Sequence, residues 1–154
     1  MPHRLQTPAT LSGHLMRRGF TLLELTLVLS IVGIISAVAV PAIARFRDRA
    51  AVHGATSLLA SSLADARHQA LRWQRRTAIR FDTLSDYAVV HAGSDTLGRA
   101  PLGALFQIQL SVSRDTIAFY PTGLGYGAAN TRLIVARGAA AETVTVSRAG
   151  RVKR

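Results

Sequence analysis

The chain has 154 residues, with 19 lysines and arginines against 8 aspartates and glutamates, and no cysteine. A disulfide framework and a thiolate metal site are therefore excluded. The formal charge of +11 points toward acidic partners, a membrane surface or nucleic acid without choosing among them.

The first element in chain order is announced by residues 17–42, RRGFTLLELTLVLSIVGIISAVAVPA. No charge lies between Glu24 and Arg45. At ~1.5 Å rise per residue, positions 25–44 span about 30 Å of helix, the thickness of a bilayer core. One alternative is a secretory signal peptide cleaved at Ala37-Val38-Ala39. Such a peptide needs an apolar region of only ~7–15 residues, and this run is longer and carries an acid near its start. A plain membrane anchor leaves Glu24 without a task. An acid costs roughly 2.5–3.5 kcal/mol at the bilayer centre and less near its edge, so an intramembrane carboxylate asks for a role. Three arginines precede the run (Arg4, Arg17, Arg18) and three follow it (Arg45, Arg47, Arg49), so the positive-inside rule does not set its orientation.

The helix is expected to continue through residue 76. Val52, Ala55, Leu59, Leu63, Ala66, Ala70 and Trp73 recur at steps of three and four, while His53, Ser57, Ser61, Asp65, His68 and Arg72 fall on another face. Pro41 removes one backbone donor inside the combined helix, so a bend is expected near 37–41. From Thr77 the period becomes two. Strands are predicted over 77–82, 87–92, 104–112, 116–120, 132–137 and 142–147, with turn-rich loops over 93–103 and 121–130. The connections are too short for crossover helices, so the sheets are expected to be antiparallel. About 110 residues follow position 44, enough for one modest core. The fold class read from the pattern is α+β: a long N-terminal helix, transmembrane and then amphipathic, packed on an antiparallel β-rich head.

Gly19-Phe20-Thr21-Leu22-Leu23-Glu24, after Arg17-Arg18 and before the apolar run, resembles the processing motif of type IV pilins and type II secretion pseudopilins. The resemblance implies cleavage by a prepilin peptidase between Gly19 and Phe20, with N-methylation of the new amine. It also implies a leader of 1–19, a transmembrane and assembly helix of 20–44, an amphipathic continuation of 45–76, and a periplasmic head of 77–154 forming one domain with 45–76. Glu24 then becomes an assembly residue, meeting the N-terminal amine of a neighbouring subunit. An unpaired buried charge costs several kcal/mol, and pairing returns part of that. The leader is long for this family; translation from Met16 gives the short form Met-Arg-Arg-Gly. ADARHQALRWQRRTAIRF (64–81), with Ala66, Arg67 and Ala70, resembles the helix-to-strand junction of the GspH/FimT group of minor pseudopilins and minor pilins. The Phe-x-Pro-x-Gly segment at 119–123 and the Gly150-Arg151 pair also resemble that group.

No catalytic constellation is visible, and no cofactor or metal is expected. The histidines at 3, 14, 53, 68 and 91 lack metal-ligand spacing with nearby acids. Ser94-Asp95 lies near His91, but a triad is defined by geometry. GLGYG (123–127) leads to a strand and not to a helix, so it reads as a hairpin or loop, not a phosphate cradle. From position 96 onward eight basic residues face two acids, Asp115 and Glu142, which argues against a calcium site there.

Two functional readings follow from the resemblance. The first is a minor pseudopilin of H type in a type II secretion system, anchored in the inner membrane and built into a periplasmic pseudopilus with other pseudopilins. The second is a minor type IV pilin of FimT type that binds DNA for uptake through Arg148, Arg151, Lys153 and Arg154. In that type the tail motif is Gly-Arg-x-Arg, and Lys153 stands where its second arginine would be. A lysine still neutralises a phosphate but lacks the planar fork of arginine. The plainer alternative is an arginine-rich, solvated surface.

Overall fold

The computed structural model describes residues 19–126 and 130–154, so the leader expected at 1–19 lies, but for Gly19, outside the described residues. The chain divides into two compact units, 1–38 and 39–154. One helix, α1 (Leu22–Trp73), contributes to both. Its start is capped: the Thr21 hydroxyl oxygen accepts the Glu24 backbone N–H at 3.2 Å. Thr-x-x-Glu is the spacing of a capping box, in which the threonine satisfies one of the orphan N–H groups of the first turn. The helix is assigned without interruption through Pro41, so the bend expected there does not break it.

The second unit holds every buried hydrophobic residue among those described, from Val52 onward. Val52, Ala55, Leu59, Leu63, Ala66 and Ala70 of α1 are each at most 1 % exposed, as the three-and-four spacing predicts. Trp73 departs from that stripe and is 45 % exposed. The reason is position: it is the last helical residue, and Gln74 turns left-handed at φ 51° while its side-chain amide donates to the Leu71 carbonyl.

Two antiparallel sheets supply the rest of the core. The first has the order β3-β2-β1-β5-β6, from β1 (Thr77–Asp82), β2 (Tyr87–Ala92), β3 (Asp95–Ala100), β5 (Thr116–Phe119) and β6 (Gly125–Tyr126). The second has the order β4-β7-β8-β9, from β4 (Gln109–Val112), β7 (Thr131–Arg137), β8 (Ala140–Val146) and β9 (Val152–Lys153). Register follows from alternation: Ile79 opposes Ile117, Leu133 opposes Val144, and Leu110 opposes Val135, all buried. The Thr77 hydroxyl donates to the Ala66 carbonyl at 2.6 Å, tying the first strand to the helix.

Three predicted elements are corrected, the first being the loop expected over 121–130, which contains the two-residue strand β6. The loop expected over 93–103 contains strand β3, joined to β2 by the two-residue turn Gly93-Ser94 with Gly93 at φ 65°. Glycine first in a two-residue loop suits a hairpin. Strand β3 escaped the pattern because an edge strand needs only main-chain pairing, and its burial shows no alternation. The strand expected over 104–112 is instead a short helix, α2 (Leu102–Phe106), followed by β4. Gln107 in the left-handed region, φ 53°, ends the helix, and only from Ile108 does the alternation describe a strand. Five residues are too few for periodicity to separate helix from strand. Contacts decided it here. Phe106 lies where a Cβ on Gly54 would stand, 2.7 Å away, and Asp86 holds both ends of the segment. The Asp86 carbonyl accepts the Gly103 N–H at 2.8 Å, and Oδ1 accepts the Leu110 N–H at 2.7 Å.

Candidate functional site

The N-terminal determinants are displayed and not packed. Phe20 is 82 % exposed, and the large apolar side chains from Leu22 to Ile43 are about half exposed or more. The helix is long and apolar enough to cross a membrane, and among the described residues its most apolar stretch is not buried. Glu24 is exposed near the helix start, and no cation among the described residues lies within ion-pair distance of it.

At the other end, two hairpin turns of the same design meet. In Tyr120–Leu124 the Gly123 N–H donates to the Tyr120 carbonyl and the Tyr120 N–H to the Leu124 carbonyl. In Ser147–Arg151 the Gly150 N–H donates to the Ser147 carbonyl and the Ser147 N–H to the Arg151 carbonyl. Each is a three-residue loop closed by a left-handed glycine, Gly123 at φ 76° and Gly150 at φ 70°. The turns lean on each other. The Gly125 N–H donates to the Arg148 carbonyl at 3.0 Å, and a Cβ on Gly150 would stand 2.8 Å from the Gly123 carbonyl oxygen. Half-buried Arg67 lies beneath both: its Nε would be 3.3 Å from a Cβ on either glycine, and its Nη1 makes a long hydrogen bond, 3.5 Å, to the Gly150 carbonyl. Arg67, the 119–123 segment and Gly150, which carry the sequence resemblance separately, thus form one structural joint.

The family model described as "Prokaryotic N-terminal methylation motif" matches residues 15–40. Two crystal forms of the type IV minor pilin FimU of Pseudomonas aeruginosa share the fold. One is 15 % identical, covers 68 % of this chain and 88 % of its own, and superposes with a TM-score of 0.59. The other is 16 % identical, covers 66 % and 90 %, and gives 0.55. The chain is pilin-like. No curated protein matches it in sequence. The pilin-like fold and the N-terminal motif fit a single-pass membrane anchor followed by a folded head.

In this pilin-like head the basic tail is brought to the surface by the second hairpin. Arg148 sits in the turn and is exposed. Arg151 and Lys153 are exposed on either side of half-buried Val152, which packs on the core. Arg154 is drawn aside, its Nη1 donating to the Ser57 hydroxyl at 3.2 Å. Arg148, Arg151 and Lys153 make no ion pair with any described acid, while Arg75 pairs with Asp95 and Arg137 with Asp48. Beside the joint stands a group absent from the sequence reading. Arg76 lies 5.0 Å from the centre of the Tyr126 ring, and Tyr126 meets Tyr120 edge to face at 5.3 Å. The available signal was two tyrosines flanking a glycine-rich turn after a paired arginine, but without the strand register nothing placed them together.

A concavity of about 570 Å³ is lined by Arg80 and Arg99 with Asp82 and Asp115. The Leu84 backbone N–H, 2.8 Å from Asp82 Oδ1, holds the Asp82 carboxyl below its ordinary 3.8. That bond belongs to the β1–β2 turn. His53 pairs with Glu142 at 3.4 Å, His91 with Thr96, and no group of three or more metal-ligating side chains forms among the described residues.

Proposed function

We propose that this chain is a minor, non-catalytic subunit of a type IV pilin-like filament machine. It is made as a precursor, cut between Gly19 and Phe20, and held in the inner membrane with its head in the periplasm. The observation that carries this reading is the contrast between the two parts of α1. Its head portion buries a continuous apolar stripe, whereas the stretch beginning at Phe20 exposes its apolar side chains and Glu24. Lipid covers such a surface before assembly, and neighbouring helices cover it afterwards. Within the filament Glu24 pairs with the new amine of a neighbour's first residue, which returns part of the several kcal/mol that a lone buried charge costs.

The test is direct. Mass spectrometry of the membrane-extracted protein is expected to find Phe20 as an N-methylated first residue. Glu24→Ala is expected to insert and be processed but to fail to enter filaments; normal incorporation refutes the role given to Glu24.

Two filaments remain in view. The head motifs resemble a group that holds both H-type secretion pseudopilins and minor pilins, and we take the H-type pseudopilin as the first reading. The DNA-binding minor pilin stands beside it because Arg148, Arg151 and Lys153 are exposed and make no ion pair with any described acid, and because FimU, which shares the fold, is a type IV minor pilin. Binding of labelled DNA by the full chain in detergent over a salt series separates them, since phosphate contacts weaken steeply with salt.

A further inference from the structure

The free arginines of the tail do not stand alone. Through the Gly125–Arg148 hydrogen bond the tail hairpin is fastened to β6, whose exposed residue is Tyr126. Arg76 covers part of that ring and Tyr120 braces it edge to face, yet Tyr126 remains 53 % exposed and Tyr120 39 %. Leu124, in the turn between them, is 53 % exposed. Three segments distant in sequence thus build one surface: the helix–strand junction, the 120–126 hairpin and the 147–151 hairpin. It presents an accessible aromatic pair with Arg76 against it and Arg148 and Arg151 on the adjoining hairpin, and no described acid pairs with Arg76, Arg148 or Arg151.

We infer that this surface binds single-stranded nucleic acid, with Arg76, Arg148 and Arg151 on phosphates and Tyr126, braced by Tyr120, as the platform for an unstacked base. This rests on the DNA-binding reading and sharpens it. A tail of cations alone serves duplex and single strand alike, because phosphates carry the contact. An exposed ring beside cations is the arrangement that favours unpaired bases, since any base has a face to stack and a duplex keeps its faces inside. Arginine suits the phosphate role, because its planar fork engages two oxygens at once.

The probes are a labelled oligothymidine and a duplex of the same length, with the full chain in detergent micelles over a salt series. The oligothymidine is expected to bind more tightly than the duplex. Tyr126→Ala is expected to weaken oligothymidine binding about five- to hundredfold, in line with the loss of one stacked base, and to leave duplex binding nearly unchanged. Tyr126→Phe, which keeps the ring, retains binding and controls for folding. The double charge reversal Arg148→Glu with Arg151→Glu weakens both probes and lowers the single-strand salt slope by about 1.4, at ~0.7 per phosphate. If the two probes bind equally and Tyr126→Ala changes neither, the platform is refuted while DNA binding by the tail survives. If neither probe binds at low salt, the DNA-binding reading fails and the inference with it. If in that case Tyr126→Ala also blocks entry into filaments, the surface is a subunit contact.

Discussion

Replacing Gly150 with alanine tests whether the paired turns are a structural joint. Gly150 has φ 70°, a region that costs an L-residue roughly 1–2 kcal/mol. Its new Cβ would stand 2.8 Å from the Gly123 carbonyl oxygen and 3.3 Å from Arg67 Nε. The first contact is with backbone, so one hairpin must move against the other, and overpacking of that kind typically costs about 1–3 kcal/mol. Together these give a destabilisation of about 2–5 kcal/mol, a large share of the ~5–15 kcal/mol typical of a domain. The assay is urea unfolding of the soluble fragment from residue 46, which keeps every described buried hydrophobic residue, followed by circular dichroism. Gly98→Ala is the control, because nothing lies within 4 Å of its Cβ and no positive φ is required. That variant is expected to be neutral or slightly stabilised, as glycine replacements are at unstrained sites. If Gly150→Ala unfolds within about 0.5 kcal/mol of wild type, the surface-strain reasoning is wrong.

Three further outcomes are expected. Asp48→Ala strips the 3.0 Å partner from Arg137, leaving a guanidinium only 27 % exposed that still donates to the Phe106 carbonyl; a loss of about 1–3 kcal/mol in the same urea assay is expected. Asp86→Ala removes the acceptor of the Leu110 N–H, for a loss of about 1–3 kcal/mol, with amide exchange at Leu110 rising more than at Val144. For Asp82, the folded carboxyl titrates below 3.8, its ordinary value. The folded state therefore binds this proton less readily than the unfolded state. Its contribution to stability is complete above that ordinary value and is lost as pH falls through the lower folded one. An NMR titration placing the Asp82 midpoint at or above 3.8 overturns the turn-capping account.

Legibility in the sequence tracked the range of the determining forces. The helical stripe from Val52 to Ala70 was readable because each residue's burial follows from spacing along one helix. The same holds for β7, which alternates from Thr131 to Ala136. The segment 102–106 was misread because its state depends on Gly54 and Asp86, which are distant in sequence. Strand β3 was missed because its pairing is main chain to main chain, which leaves no side-chain signature. The threonine cap before Glu24 is local, and the Thr-x-x-Glu spacing carries it.

By itself the sequence determined the long helix, its membrane-length apolar start with Glu24 inside it, the antiparallel β character of the head and the excess of arginine. These are properties of composition and period, and they need no knowledge of what meets what. Only the tertiary structure decided that Arg67, Gly123 and Gly150 form one joint, that this joint carries Arg148 to the side of Tyr126, and that Arg154 is drawn aside by Ser57. The physical reason is register. Which hairpins lie side by side is set by the pairing of strands more than twenty residues apart and by the helix packed beneath them, and no local pattern encodes either.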